Sequence, residues 1–293
     1  MESTQHDFSG LERSCGPEGR DWVRIAPGDG PGGPERIEAR FGGQAYAPHR
    51  HDTYAIGVTL NGVQSFTYRG VERNSLPGNA IVLHPDEMHD GHAGAEGGFR
   101  YRMLYIDPDA IRDALPDGTR SLPFVKECIS RDRALCAAAL SALRHIDREK
   151  TELEWASDIS DIANALGRID PATAPRRTAP ADIGAVRLAK QAMLECLDRD
   201  LPLGDMESIT GQSRFALARH FRAVSGISPH RWLVMRRLDR ARAALQTGAT
   251  LSAAAAEAGF ADQAHMTRHF KNAFGMTPGA WRERLDKGPA GGE

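Results

Sequence analysis

One fourteen-residue phrase occurs twice in the C-terminal part of this 293-residue chain. It reads RHFRAVSGISPHRW at 219–232 and RHFKNAFGMTPGAW at 268–281. In both copies a glycine follows an amphipathic run, where a helix needs a left-handed C-cap, and Ser-Pro or Thr-Pro then supplies an N-cap and a first-turn proline. Each copy therefore predicts the end of one helix and the start of the next.

A short helical stretch and a polar turn precede each copy. The two segments read LGDMESITGQSRFALARHF and LSAAAAEAGFADQAHMTRHF, and both follow the plan of a helix-turn-helix. We name them the first motif and the second motif. Apolar side chains at helical spacing predict the buried stripe of the second helix in each motif. They are Leu217 and Phe221 in the first motif, and Met266, Phe270 and Phe274 in the second.

The opposite face of each second helix carries an arginine among small and polar residues. We expect the outward positions to be Phe215, Ala218 and Arg219 in the first motif, and Ala264, His265 and Arg268 in the second. An isolated arginine is usually solvated, but arginines at equivalent places of a repeat favour base reading in a major groove. The connector, about 19 residues, would span about 28 Å as one helix, close to one turn of DNA at about 34 Å.

Positive charge is concentrated around these motifs. The chain has a net charge of −2, yet residues 203–287 hold 13 Lys or Arg against 7 Asp or Glu. A basic region on an acidic remainder favours a polyanionic partner. A nonspecific architectural DNA binder would need a much stronger net charge and apolar wedges, so it is the less favoured reading.

The segment GFADQAHMTRHFKNAFGMTPGAWR resembles the signature of the AraC/XylS family of transcription regulators, and the resemblance covers about 183–285. It implies a sequence-specific regulator, an activator that contacts RNA polymerase, and a homodimer on promoter DNA. One position departs from the family. Glu207 stands where a small residue is usual, four before the first turn glycine, whereas the second motif keeps Ala255. We therefore expect the first motif to pack more loosely or to read DNA less stringently.

The resemblance also assigns roles to the residues of both second helices. The implied base contacts are Phe215, Ala218, Arg219, Gln263, Ala264, His265 and Arg268. The implied phosphate contacts are Ser213, Arg214, Thr267 and Lys271.

The whole chain is expected to be α+β with two domains, a cupin-like antiparallel β-barrel followed by helices and then an all-α part with both motifs. Gly and Pro at 1–35 predict a flexible arm. Short alternating runs predict an effector-binding β domain at 36–120, and helical periodicity predicts a packing or dimerisation helix pair at 121–167. Residues 168–182 are expected to be a linker without helix or strand, and 183–287 to form six or seven short helices.

Histidines of the β domain follow the spacing of a cupin. GQAYAPHRHDTYAIGVTLNG matches the first cupin motif at His49 and His51, but Ala55 replaces the glutamate of metal cupins. GNAIVLHPDEMH keeps His89 in register and carries His84 and Asp86 where the second motif of cupins has Pro and Gly. Residues two apart on a strand share a face, so His49, His51 and His89 can line one cavity.

Three interpretations of this cavity stay open. The favoured one is a metal-free site for a small-molecule effector, formed by His49, His51, Tyr54, Tyr68, His89 and Tyr101. The second is a divalent metal on His49, His51 and His89, which would make the protein a metal-dependent cupin enzyme fused to a DNA-binding part. The third is a set of structural histidines without ligand. Positive side chains that would favour an acidic effector are Arg40, Arg50, Arg69, Arg100 and Arg102.

Composition excludes several other classes. No run of about 18 apolar residues occurs, the four cysteines lack zinc-site spacing, and the N-terminus lacks a signal peptide. We therefore expect a reduced cytoplasmic protein without a membrane partner. Since the effector-binding interpretation of the histidines is the favoured one, we also expect no cofactor and no catalysed reaction.

Overall fold

The computed structural model describes residues 21–26, 34–119, 121–173, 180–199 and 201–286. They fall into two compact units that divide between Ala179 and Pro180. Antiparallel strands followed by helices form the N-terminal unit, and the C-terminal unit is helical, so the α+β prediction is confirmed. Most of the predicted arm, 1–20 and 27–33, lies outside the described residues.

Ten strands of the described residues form two antiparallel sheets. They are β1 Trp22–Ile25, β2 Glu35–Phe41, β3 Gln44–His49, β4 Tyr54–Gly62, β5 Gln64–Tyr68, β6 Val71–Ser75, β7 Ala80–Leu83, β8 His89–Ala93, β9 Phe99–Ile106 and β10 Ile129–Ser130. The strand orders are β1-β2-β9-β4-β7-β10 and β3-β8-β5-β6. Ile37 and Phe41 of one sheet and Phe66 of the other are buried in a single core, which the two inner faces share.

Strand β1 corrects the prediction of a flexible arm at 1–35. Its four residues pair with Ile37–Arg40 of β2, and β2 itself begins at Glu35. Arg24 of β1 donates a 2.8 Å hydrogen bond to Glu38, whose side chain is fully buried. The strand is therefore stabilised by its pairing with β2 and by this ion pair. The Gly- and Pro-rich sequence on either side of it gave no indication of these contacts.

Three helices belong to the N-terminal unit. They are α1 Pro108–Ala114, α2 Arg133–Ala142 and α3 Glu152–Ile169, of which α2 and α3 pack together. The predicted helix pair is present, whereas α1 and β10 were not predicted. Helix α3 runs past Gly167, and a 3₁₀ turn follows at Pro171–Thr173, so the prediction that 168–182 contains no helix is wrong at its start. Residues 174–179 lie outside the described residues.

Seven helices form the described part of the C-terminal unit. They are α4 Ile183–Glu195, α5 Leu203–Thr210, α6 Arg214–Ser225, α7 Pro229–Gln246, α8 Leu251–Glu257, α9 Gln263–Phe274 and α10 Pro278–Asp286. Gly226 and Gly275 end α6 and α9 with left-handed φ of 73° and 75°, as the repeated phrase predicts. None of the helices in the described ranges is long and apolar enough to cross a membrane.

Candidate nucleic-acid interface and effector site

Each motif consists of two helices, but the turns that join the helices differ in length. Helices α5 and α6 form the first motif and α8 and α9 the second. Gly211 is followed by two residues up to the N-cap Ser213, whereas Gly259 is followed by three up to the N-cap Asp262. The additional residue accommodates Phe260, which is buried in the core of the second motif. The second turn is therefore longer and anchored by an aromatic side chain.

Helix α9 of the second motif divides sharply into a buried and an exposed face. Met266 and Phe270 are fully buried in a core shared with α7. The exposed positions on α9 include Gln263, Ala264, Arg268 and Lys271, and those half-buried include His265 and Thr267. His265 also lies 2.9 Å from His269, measured between their Nε2 atoms. The residues expected to touch DNA thus form one face of this helix.

Helix α6 of the first motif does not have this division. Phe215 and Ala218, expected to face outward, are buried, with exposed fractions of 9% and 4%. Helix α6 packs against α4 and α5, and its buried face is wider than the stripe of Leu217 and Phe221. That packing places an aromatic ring where the second motif has the exposed Ala264.

The exposed face of α6 is consequently more basic than the sequence indicates. Arg214 and Arg222 are exposed and Arg219 is half-buried, while Ser213 caps the helix by accepting a 3.3 Å hydrogen bond from the Ala216 amide. Arg222 was missed, although it occupies the position in the first motif that Lys271 occupies in the second. The repeat itself was the signal that could have found it.

Glu207 explains the departure of the first motif from the family pattern. Its Oε1 accepts a 2.7 Å hydrogen bond from the amide of Arg214, the first residue of α6, and lies 3.5 Å from Nε of the Arg214 side chain. A carboxylate at this place stabilises the positive end of a helix. Its counterpart Ala255 is buried and carries no charge. Instead of loose packing, Glu207 provides a specific contact between α5 and α6.

Helix α7 joins the motifs as one continuous helix. Its 18 residues correspond to a length of about 27 Å. Buried Arg237 anchors it by donating hydrogen bonds of 3.0 and 2.9 Å to the carbonyls of Leu197 and Arg199. The connector is therefore one continuous helix that Arg237 anchors to the segment after α4.

In the N-terminal unit, His49, His51 and His89 lie together, and we call them the histidine cluster. Their ring centroids are separated by 4.4 Å between His49 and His89, 4.9 Å between His51 and His89, and 6.3 Å between His49 and His51. His49 and His89 are register partners on β3 and β8. Tyr46 lies edge-on to His49 at 5.2 Å. Its ring occupies space that a side chain at Gly91 would fill.

Each ring of the histidine cluster is oriented by its own backbone. The Nδ1 atoms lie 3.0 Å from the carbonyl oxygen of Ala47 for His49, 2.9 Å from that of Thr53 for His51, and 2.9 Å from that of Glu87 for His89. Burial, reinforced by the two neighbouring imidazoles, lowers the pKa of His89 to about 3, although its bond to Glu87 acts in the opposite direction. His89 is therefore neutral at physiological pH.

The three tyrosines expected in the effector site have different surroundings. Tyr68 is the register partner of His89 on β5, and its hydroxyl lies 2.9 Å from Nδ1 of His84. Tyr101 is fully buried, and burial raises its pKa well above the usual value. Tyr54 donates a 2.9 Å hydrogen bond to the carbonyl of Pro123. Tyr54 and Tyr68 thus use their hydroxyls in contacts of the fold.

His84 is a structural histidine. Its Nε2 accepts a 3.0 Å hydrogen bond from the amide of Val125, which holds the segment after α1 against β7. Burial, together with nearby Arg69, lowers its pKa to about 4. Its place in the second cupin-like segment therefore reflects packing rather than ligand binding.

Metal binding receives no support from the geometry. In the parts of the chain that the structure describes, no group of three or more His, Cys, Asp or Glu side chains is arranged to hold a metal ion. Ala55 packs in the core between the sheets, so the position of the cupin glutamate carries no carboxylate.

An antiparallel β unit with a polar cluster and a helical unit with two helix-turn-helix motifs define a ligand-binding, DNA-binding class of protein. Residues 31–163 match the model of the AraC-like ligand binding domain, and residues 207–284 match a helix-turn-helix domain model. Together the two matches give the chain the ligand-binding and helix-turn-helix domains that AraC-type transcription regulators combine.

The chain is also similar to individual proteins. The chain is 27% identical to the HTH-type transcriptional regulator YbfI of Bacillus subtilis, over 78% of this chain and 86% of that protein. It is 36% identical to the transcriptional activator NphR of Rhodococcus, over 29% of this chain and 26% of that protein. A probable AraC family regulator structure from Rhodopseudomonas palustris is 27% identical, covers 34% of this chain and 96% of its own, and has a TM-score of 0.32.

Proposed function

We propose that the protein reads a specific promoter sequence by placing α6 and α9 in consecutive major grooves, and that an effector bound near the histidine cluster changes its hold on DNA. The observation that carries the proposal is the exposed face of α9 in the second motif. Arg268 is exposed on α9, on the face opposite fully buried Met266 and Phe270, so the arginine can reach base edges while the helix stays packed.

The finer features of this function are also part of the proposal. The protein acts as an activator and as a homodimer, with the α2 and α3 pair as the dimerisation element and RNA polymerase as the partner on the promoter. Its place of action is the cytoplasm. Activation is supported by the similarity to NphR, which is named as a transcriptional activator. A molar mass of twice 31.9 kDa in light scattering would support the dimer.

Binding to a selected promoter duplex and to random duplexes tests the reading role. Arg268→Ala should weaken binding to the selected duplex by about 1–3 kcal/mol and reduce sequence preference, because a bidentate contact to guanine is lost. Fluorescence anisotropy at constant salt measures both affinities. Equal losses on selected and random DNA would remove Arg268 from base reading and leave it as a phosphate contact.

We also propose that the N-terminal unit senses rather than catalyses. Ala55 at the position of the cupin glutamate supports this, because a three-histidine set without a carboxylate lacks the ligand that metal cupins use. Elemental analysis of protein purified without chelator should find less than about a tenth of an equivalent of any divalent metal. One equivalent of metal would favour a metal-dependent cupin enzyme.

A further inference from the structure

The turn glycines of the two motifs have very different surroundings. Gly211 and Gly259 both have a left-handed φ, 65° and 78° respectively, which favours glycine at both positions. In the described part of the chain, a β-carbon at Gly211 would have no heavy atom within 4 Å apart from its chain neighbours. A β-carbon at Gly259 would overlap the carbonyl oxygen of Leu197 and lie 3.1 Å from Nε of Arg237. The second motif therefore needs glycine for close packing as well as for φ.

The carbonyl of Leu197 is contacted by α7 as well as by the turn of the second motif. Nε of buried Arg237 donates a 3.0 Å hydrogen bond to it, and Nη2 of the same side chain donates a 2.9 Å hydrogen bond to the carbonyl of Arg199. The planar guanidinium supplies both donors in a fixed geometry, which a lysine ammonium does not reproduce. We call Leu197, Arg199, Arg237 and Gly259 the inter-motif joint.

The inter-motif joint connects the second motif to the helices that support the first. Residues 197–199 follow α4, which packs against α5 and α6 of the first motif. Helix α7 carries Arg237 and packs against α8 and α9, and Gly259 lies in the turn between these two helices. The second motif is thus linked to the first by α7 and, in addition, by direct contact of its turn with the segment after α4.

This second contact restrains a motion that one connecting helix leaves open. A helix fixes the distance between two groups packed against it, but each group can still rotate about its own packing contact. A contact away from the helix axis restrains that rotation. Rotation matters on DNA, because one base pair added between two blocks turns the second block by about 35° around the DNA axis. The relative orientation of α6 and α9 therefore decides which spacing of blocks both helices can engage.

We propose that the inter-motif joint fixes the orientation of α9 relative to α6 and thereby selects the spacing of the two blocks of base pairs on promoter DNA. Arg237 and Gly259 are positioning residues, because they act on DNA recognition through the two motifs. The inference rests on the proposed reading of two consecutive grooves and adds the residues that set the spacing of that reading.

Duplexes with altered spacing test the inter-motif joint. The selected promoter duplex is compared with duplexes in which one base pair is inserted or removed between the blocks, by fluorescence anisotropy at constant salt. The wild-type chain should bind the altered duplexes at least about tenfold more weakly, roughly the effect of one lost base contact. A wild-type chain that binds all three spacings equally would refute reading of two grooves, and the role of the joint with it.

Gly259→Ala and the matched control Gly211→Ala separate the inter-motif joint from backbone strain. Both variants place alanine at a left-handed φ, which strains either turn, but only Gly259→Ala displaces Leu197. The loss of affinity on altered spacing should fall to about threefold or less in Gly259→Ala and stay at about tenfold or more in Gly211→Ala. Lower stability alone weakens binding to all three duplexes by the same factor. A spacing preference in folded Gly259→Ala equal to that of the wild type would overturn the proposal.

Arg237→Lys decides the question if Gly259→Ala does not unfold cooperatively in urea. Lysine keeps the positive charge but lacks the fork that reaches both carbonyls, so the loss of affinity on altered spacing should become at least about twofold smaller. Duplexes with one scrambled block should bind the wild type and this variant equally, because each recognition helix stays intact. An unchanged spacing preference, or an equally large loss on the single-block duplexes, would assign Arg237 to folding alone and overturn the proposal.

Discussion

The second helices of the two motifs, α6 and α9, share their length of 12 residues, their glycine C-cap and the repeated phrase, yet they present different surfaces. Helix α9 is covered on one face only, so its outward residues are exposed. Helix α6 packs against α4 and α5, as α9 packs against α7 and α8, but its Phe215 and Ala218 are buried. A repeated sequence thus specifies the same local structure twice, whereas the neighbours of each helix decide which residues can reach a ligand.

The largest expected difference between the motifs concerns the paired positions Phe215 and Ala264. Phe215→Ala should lower the free energy of unfolding by about 3 kcal/mol, because it leaves a cavity in the first motif. The reciprocal Ala264→Phe, on the exposed face of α9, should change it by less than about 0.5 kcal/mol. Urea denaturation of both variants measures the two effects. Unchanged stability with altered sequence preference in Phe215→Ala would restore its base-reading role.

A smaller effect is expected from the paired arginines. Arg268→Ala should cost about 2 kcal/mol of binding free energy on the selected duplex, within the range for a bidentate base contact. Arg219→Ala should cost less than half of that, because half-buried Arg219 presents less of its side chain to a groove. Anisotropy titrations at one salt concentration compare the variants. A larger loss of binding free energy for Arg219→Ala would indicate that the first motif contributes more to base reading than the second.

Glu207→Gln should increase affinity for DNA. The amide oxygen of glutamine can still accept from the Arg214 amide, but the charge that holds the Arg214 side chain is removed, so the arginine becomes available to a phosphate. We expect about a three- to five-fold gain on any duplex and a salt slope steeper by about one. Asp205→Asn is the control, since it removes a charge from α5 away from α6. An equal gain of DNA affinity in the control would indicate that the effect comes from the change in net charge and not from release of Arg214.

The smallest expected difference concerns Lys271 and Arg222, the equivalent exposed cations of α9 and α6. Lys271→Ala should weaken binding to selected and random DNA about equally. It should also lower the salt dependence of the affinity by about one in slope, as expected for a phosphate contact. Arg222→Ala should do the same. A salt series from about 50 to 200 mM measures the slopes. A sequence-dependent loss in either variant would indicate base contact instead.

Local signals explain what the sequence could predict. Ser213, Gly226 and Gly275 set the ends of α6 and α9 because caps depend only on neighbouring residues. The burial of Phe215 could not be inferred from the repeat, because the equivalent position in the second motif, Ala264, is exposed. Strand β1 was missed for a related reason, since its stability comes from β2 and from the pairing of Arg24 with Glu38.

The histidine cluster shows the same limit in the N-terminal unit. Motif spacing was sufficient to predict that His49, His51 and His89 lie together, because strand pairing follows from the cupin-like pattern. The orientations of the rings could not be predicted, since they depend on contacts with the carbonyls of Ala47, Thr53 and Glu87. Tyr54 and Tyr68 were included for their residue type, and only the structure shows their hydroxyls in contact with Pro123 and His84.

The central claim is that one rigid chain engages two consecutive major grooves, and in vitro selection of random duplexes by the full chain tests it most directly. We predict selected sites with two blocks of specified base pairs per monomer, about 10 base pairs apart, since consecutive major grooves on one face of DNA are separated by one helical turn. Inserting five base pairs between the blocks should lower affinity at least about tenfold. A single block, or affinity that is unchanged by the insertion, would contradict the account.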